Sequence, residues 1–290
     1  MLNKLKALKN VFAAKVMVGT VVKYIHQQLA INEIEALKRS SRHQNPKSLI
    51  PFGHEIYSQS EEDGIIREIF NRIGVTNRVF VEFGVGNGLE NNTLALLFDN
   101  WSGLWIEASS KSVRRLEKAF HNTINKGRLS IMEAFVTKSN INNLISSVIT
   151  AEEIDLLSID IDGNDVHIFN SITCIKPRVV VIEYNAKFPP PILFCMEYDE
   201  SHRWKGNDCF GASLKYLENN FAKKGYNLVG CTLTGTNAFF VRKDLTADKF
   251  VEPYSAENHY EPIRYYLSGF SSGYPSSYKT LEKSLAMRST

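Results

Sequence analysis

Cysteine is scarce in this chain, and the four that occur, Cys174, Cys195, Cys209 and Cys231, form no C-x-x-C pair. That spacing excludes a zinc ribbon or a dithiol redox centre. With 290 residues the chain can bury a core without disulfide staples, so the thiols read as reduced and the protein as cytoplasmic. Long hydrophobic runs are missing: no apolar stretch reaches the ~18–20 residues a membrane span needs. A strong excess of one charge is missing too. The net charge of +3 is too small to argue for a nucleic-acid partner, and no basic run is interleaved with aromatics as a nucleic-acid platform requires. Internal repeats and low-complexity tracts are absent.

One local absence is sharper. Met1 to Ile31 holds five lysines (Lys4, Lys6, Lys9, Lys15, Lys23) and no acid. The apolar stretch Val11 to Val22 is broken by Lys15 and Gly19 and lacks a small-residue cleavage site, which argues against a secretory signal. Leu5, Leu8, Phe12, Lys15 and Met17 place apolar and basic residues on partly separate helical faces. Two readings stand. The helix lies on an anionic membrane surface through residues 1–30, at the inner face, or it packs on its own domain or on a second subunit of a homo-oligomer. The expected organisation is a basic amphipathic helical extension over 1–45, ending near Asn45-Pro46, a main domain over 46–250, and a tail over 251–290 that packs on it.

What is present within 46–250 is alternation. Ser60 with Asp63 reads as a capping box that opens a helix over 61–73, stopped by Gly74. Apolar strands follow at 78–83, 103–108, 129–136, 154–161 and 178–183, separated by helices. Asn91-Asn92-Thr93 is expected to cap the helix carrying Leu94, Leu97 and Phe98. Continuous β-branched runs between helices imply a parallel sheet covered on both faces. After a helix over 211–224, strands at 227–233 and 238–242 are joined only by Thr234-Gly-Thr-Asn237. So short a link forces an antiparallel pair. The expected fold is α/β: a Rossmann-like, doubly wound, seven-stranded sheet with an antiparallel terminal hairpin strand and an N-terminal helical extension.

The first strand delivers Glu82, Gly84, Gly86, Asn87 and Gly88 to its carboxyl end, where open α/β sheets bind ligands. Glycines let the backbone approach a ligand closely. The dinucleotide fingerprint is G-x-G-x-x-G, whereas here Leu89 follows a G-x-G-x-G run and Glu82 precedes it. Both features resemble motif I of S-adenosylmethionine (SAM)-dependent methyltransferases more than a nicotinamide site. Glu107, followed by Ala108, ends the second strand, and a carboxylate there accepts hydrogen bonds from both ribose hydroxyls. Glu133 and Ala134 end the third strand and are expected beside the adenine. The fourth strand ends in Asp160-Ile-Asp162-Gly163 and the fifth in Glu183-Tyr-Asn185, so these acids and amides are expected to converge beside the donor. At spacing i, i+2, Asp160 and Asp162 share a face if both are on the strand. Methyl transfer to an alcohol needs in-line approach, removal of its proton and exclusion of water. A hard divalent cation on carboxylate and amide oxygens, Mg2+ or another, lowers the pKa of such a hydroxyl. His167 and His202 are alternative bases. Tyr57 to Asp63, including Gln59, is expected to close over the donor, and the loop over 186–210 to wall the acceptor.

Tyr57 to Asn185 resembles the FkbM-like branch of SAM-dependent methyltransferases, in Ser58-Gln59 with Glu62-Asp63-Gly64, in Val81-Glu-Phe-Gly84 and in Ile159-Asp-Ile-Asp-Gly163. The resemblance implies SAM as cofactor and transfer to a hydroxyl of a sugar or glycan. The D-x-D is similar to that of magnesium-dependent sugar O-methyltransferases. That similarity implies Asp160 as metal ligand and Asp162 as base, with Glu183 and Asn185 as the further ligands. Two other classes remain: a nicotinamide-dependent oxidoreductase, against which Leu89 and the terminal hairpin count, and a non-catalytic scaffold subunit using residues 1–45.

Overall fold

A computed structural model describes residues 2–268 and 276–287. In chain order the elements are α1 (Leu2–Lys38), α2 (Glu62–Ile73), β1 (Val79–Phe83), β2 (Ser102–Glu107), α3 (Ser110–Ala119), α4 (His121–Asn125) and β3 (Leu129–Glu133). Then come α5 (Ile141–Ser146), β4 (Glu153–Ile159), α6 (Asp165–Ser171), β5 (Lys176–Glu183), α7 (Leu214–Lys223), β6 (Tyr226–Cys231) and β7 (Asn237–Arg242). The short α8 (Lys243–Thr246) and α9 (Ala256–His259) and the helix α10 (Tyr278–Met287) complete the chain.

The seven strands form one sheet in the order β3-β2-β1-β4-β5-β7-β6. β7 alone runs against its neighbours β5 and β6; the other pairings are parallel. The expected fold class is therefore observed. Side chains alternate between two apolar layers. Phe80, Leu156, Val179, Val181 and Phe239 face α2, α3 and α10. Val81, Leu157, Ile159, Val180, Ile182 and Phe240 face α5, α6 and α7. Both layers are dry, with Phe80, Val81, Leu156 and Val180 at 0% exposure. Each such side chain contributes about 1.5–3 kcal/mol by leaving water.

Local corrections begin at α2. Its apolar face is Ile65, Ile66, Ile69, Phe70 and Ile73, at helical spacing. Its start is not a Ser60–Asp63 box. Ser58 Oγ accepts from Asp63 N at 3.1 Å, while Asp63 Oδ2 accepts from the backbone N–H groups of Ile56, Tyr57 and Ser58. Asn91, Asn92 and Thr93 cap no helix: the turn that follows, Ala95–Asp99, has no side-chain cap. The N-terminal helix ends at Lys38, and a single turn of tighter helix at Ser41–His43 follows. Within α1, Met17, Val18, Val21, Val22, Ile25 and Leu29 are all exposed. At three- and four-residue spacing they share one side of the helix; Lys23 and His26 lie on the other. Among the described residues no helix is long and apolar enough to cross a membrane. In the tail, Leu281 and Leu285 of α10 are buried in the layer that holds Leu116 and Trp105.

Candidate active site

The parallel strands end on one rim, and Gly84 shows why a glycine must stand there. Its φ is +76°, and a Cβ at this position would lie 1.6 Å from the Asp160 carbonyl oxygen. The missing side chain lets the ends of β1 and β4 touch, which opens the layer above them. Gly86 also has positive φ, and its N–H donates to Glu107 Oε2 at 2.7 Å. The other oxygen of Glu107 accepts from Ser109 N at 2.8 Å. Glu107 thus ties the glycine loop to the end of β2.

Above this floor lies a cavity of about 430 Å³. Gly84, Gly86, Glu107, Ala108, Ala134, Asp160, Asp162 and His202 line it, so residues singled out along the sequence meet in one place. A larger groove of about 690 Å³ runs along α2 past Arg67, Phe70 and Trp101. It carries neither the glycine loop nor the acids that end β2 and β4, so the smaller cavity is the better match to ligand chemistry.

Several expected site residues stand elsewhere. Glu82 is not a cofactor contact: it is 3% exposed. Its Oε1 accepts from Asn92 N (2.9 Å) and Ser158 Oγ (3.0 Å). Its Oε2 accepts from Asn91 Nδ2, Thr93 N and Thr93 Oγ1. Every Asn91–Thr93 side chain or N–H that sequence assigned to a helix cap converges here or beside it, so Glu82 is the anchor of the loop after the glycines. Burial raises its pKa, against those hydrogen bonds. His167 is not poised as a base, because its Nε2 donates to the Met196 carbonyl at 2.8 Å and its ring packs edge-on against Tyr198. Asn185 is not a metal ligand. It is 1% exposed, with Nδ2 donating to the carbonyls of Asp208 and Phe210 and Oδ1 accepting from Lys187 N. Its amide fastens the loop over 186–210. Gln59 is exposed, and neither it, Asn87 nor Glu133 lines the cavity. Glu133 accepts from Ser110 Oγ, and Asn87 turns its side chain to Leu89 N. The segment that holds Gln59 packs on the hairpin turn rather than over this cavity, through Ser60 Oγ to Thr234 Oγ1 and Leu233 N to Glu61.

The acids at the rim do converge. One oxygen from each of Asp160, Asp162 and Glu183 lies within 4.8 Å of the others. They do not do so as a strand face: β4 stops at Ile159, and Asp162 sits in the left-handed region at φ 57°. The turn is held by Asp165, which accepts from Ile161 N and Gly163 N. Burial, then the charges of Asp165, Asp162, Glu82 and Glu62, push the Asp160 pKa well up. Burial, then Asp160, Asp165 and Asp162, does the same to Glu183. Glu183 Oε2 is buried without a hydrogen-bond partner. Clustered carboxylates with an orphaned buried oxygen fit a hard divalent cation, which would supply the missing positive charge.

Sequence reasoning missed Phe135 and Asn164 in the cavity wall, whereas Arg203, also there, lies in the 186–210 loop expected to form a wall. The Arg203 guanidinium stacks 3.7 Å from the Phe135 ring centroid, closing one side. His202 donates from Nε2 to the Asp162 carbonyl at 3.0 Å, and Trp204 also lines the cavity, half exposed. An arginine and aromatics clustered in the loop after the fifth strand were the available signal.

Strand order, the lone antiparallel β7 and a glycine loop at the end of β1 make the Rossmann-like α/β fold that the sequence led one to expect. No family model matches the chain, and no curated protein matches it. Solved structures that are similar include the METTL16 MTase domain, at 13% identity and TM-score 0.41, covering 62% of this chain and 66% of that one. The structure of PKMT2 from Rickettsia typhi in complex with AdoHcy shares 10% identity at TM-score 0.43, over 64% of this chain and 54% of that one. An O-methyltransferase family protein from Burkholderia thailandensis shares 9% identity at TM-score 0.39, over 63% and 58%. The chain thus spans less than two thirds of the length of each of these three.

Proposed function

We propose that the protein is a SAM-dependent O-methyltransferase that transfers a methyl group to a hydroxyl of a sugar, polysaccharide or glycoconjugate. The observation that carries this reading is Glu107. It is held by two backbone N–H groups at the edge of a 430 Å³ cavity, beside the glycine loop and across from an acid cluster. A carboxylate so placed accepts from a ribose diol. Ala134 and Phe135 then form the wall for a flat base, and the sulfonium end lies over the floor where Gly84 and Asp160 meet. The acceptor hydroxyl enters from the side of Asp162, His202 and Trp204. Half-exposed Trp204 offers a ring face to the apolar face of a sugar.

Asp160 and Glu183 would hold a divalent cation, with Asp162 at its open side. The cation would lower the pKa of the acceptor hydroxyl. Asp162 is exposed, so it can take the proton and release it to solvent. Incubation with methyl-labelled SAM and a glycan panel, read by mass spectrometry, tests the reading. Label on a sugar oxygen is expected, and label confined to amines or found nowhere would overturn it.

The same proposal includes peripheral contact of α1 with the anionic inner face of a membrane. The exposed apolar side Met17 to Leu29 and the five lysines without an acid before Ile31 support it.

A further inference from the structure

Pairing across the sheet places four residues in one row on the rim. Glu82 pairs with Ser158 and Ile159 with Ile182, so Asp160 follows beside Glu183, and Gly84 meets Asp160 directly. On the far side of Glu183, its antiparallel register partner is Asn237, the first residue of β7. Directly opposed residues of an antiparallel pair project from the same face at about 4.5–5.5 Å between Cβ atoms. The acid cluster therefore has an amide neighbour on a strand that runs against the others.

Asn237 is 4% exposed, and its Oδ1 is buried with no hydrogen-bond partner. The adjoining Glu183 Oε2 is in the same condition. Two buried acceptors without partners, on residues paired in register, are costly unless something positive stands between them. Rotating the Asn237 amide does not solve the problem. Its Nδ2 donates to Glu62 Oε1 at 2.9 Å, and turning it over would set Oδ1 against that carboxylate oxygen. Glu62 is itself fixed, 0% exposed, by Ser60 Oγ on Oε1 and Ser60 N on Oε2. Ser60 and Glu62 therefore orient the amide so that its oxygen points away from Glu62.

Building on the cation proposed above, we propose that Asn237 supplies the neutral oxygen that completes the site of Asp160 and Glu183, with Glu62 as the positioning residue for that amide. Hard divalent cations take mixed carboxylate and amide oxygens. Here the amide oxygen comes from the hairpin strand, through a long-range register, and not from Asn185 two residues beyond Glu183. The motif Ser58 to Asp63 then has a role at the site: it does not cover the donor but sets the ligand on β7.

Mn2+ titration of the full chain, with free Mn2+ followed by electron paramagnetic resonance, tests this. Wild type is expected to bind Mn2+. Asn237→Ala is expected to weaken binding by about 10–100-fold, with S-adenosylhomocysteine (SAH) affinity unchanged within about twofold. Asn237→Asp, which keeps an oxygen, is expected to bind at least as tightly as wild type. If wild type takes up no Mn2+, the cation reading fails and this inference with it. If wild type binds and Asn237→Ala binds equally well, the cation reading stands and Asn237 is not a ligand. Should Asn237→Ala not fold, Asn237→Asp decides: a tenfold loss would overturn the assignment.

Discussion

Replacing Glu82 by Gln separates an anchoring carboxylate from a donor-binding one. The substitution keeps the shape but swaps one acceptor oxygen for a donor NH2. Oε2 receives three donors and Oε1 two, so the least damaging rotamer puts the NH2 at the Oε1 place. Ser158 can reverse its hydroxyl and accept. The Asn92 N–H cannot reverse, so one hydrogen bond to a buried acceptor is lost and two donors are left facing each other. Leaving that buried donor unsatisfied is expected to cost about 1–3 kcal/mol. Urea unfolding should show the loss as a lower midpoint at unchanged slope. Isothermal titration on the folded fraction should show SAH affinity reduced by less than about tenfold, because Glu82 does not line the cavity. Unaltered stability together with loss of SAH binding would refute this reasoning and return Glu82 to the ligand.

Gly84→Ala should cost more than about 3 kcal/mol and abolish SAH binding, since the new Cβ would meet the Asp160 carbonyl at 1.6 Å in a left-handed conformation; a variant of near-wild-type midpoint that binds SAH would count against the tight rim. His259 is buried, and burial drives its pKa down to about 4 from 6.5. The neutral form is the folded one, so its contribution is complete above pH 6.5 and fades as pH falls towards 4. Between pH 7 and 5 the expected loss is about 2 kcal/mol. Denaturant curves of wild type and His259→Phe should converge by that amount, and parallel curves would rule it out. Deleting residues 1–31 should abolish co-sedimentation with phosphatidylglycerol vesicles; persistent binding would remove α1 from that role, and a dimer that turns monomeric on deletion would assign it to a second subunit.

The strands were legible because their β-branched runs are continuous, and β7 because Thr234-Gly-Thr-Asn237 is too short for a crossover. The glycine loop, Glu107 and Asp160 follow from where a parallel strand must end. Glu82 was misread because its place after a buried strand suits both a ligand contact and an anchor. Its alternation with Phe80 puts it on the face covered by α2, but only the fold shows Asn91 to Thr93 folding back onto it. The D-x-D spacing gives a shared face only while both acids are on the strand, and the chain leaves the strand at Ile159, where a left-handed Asp162 turns the second acid. The hydrogen bond between Asn237 and Glu62 was invisible because it spans 175 positions, and local sequence holds no record of such a register. Arg203 and Phe135 meet through loops that lack any periodicity to read.

The most direct measurement is calorimetric titration of the purified chain with SAH and, separately, with NAD. Saturable SAH binding is expected, weakened by about tenfold or more in Glu107→Ala as a charge-assisted pair of hydrogen bonds is removed, with no heat from NAD. Absence of SAH binding, or NAD binding that depends on Glu107, would contradict the account.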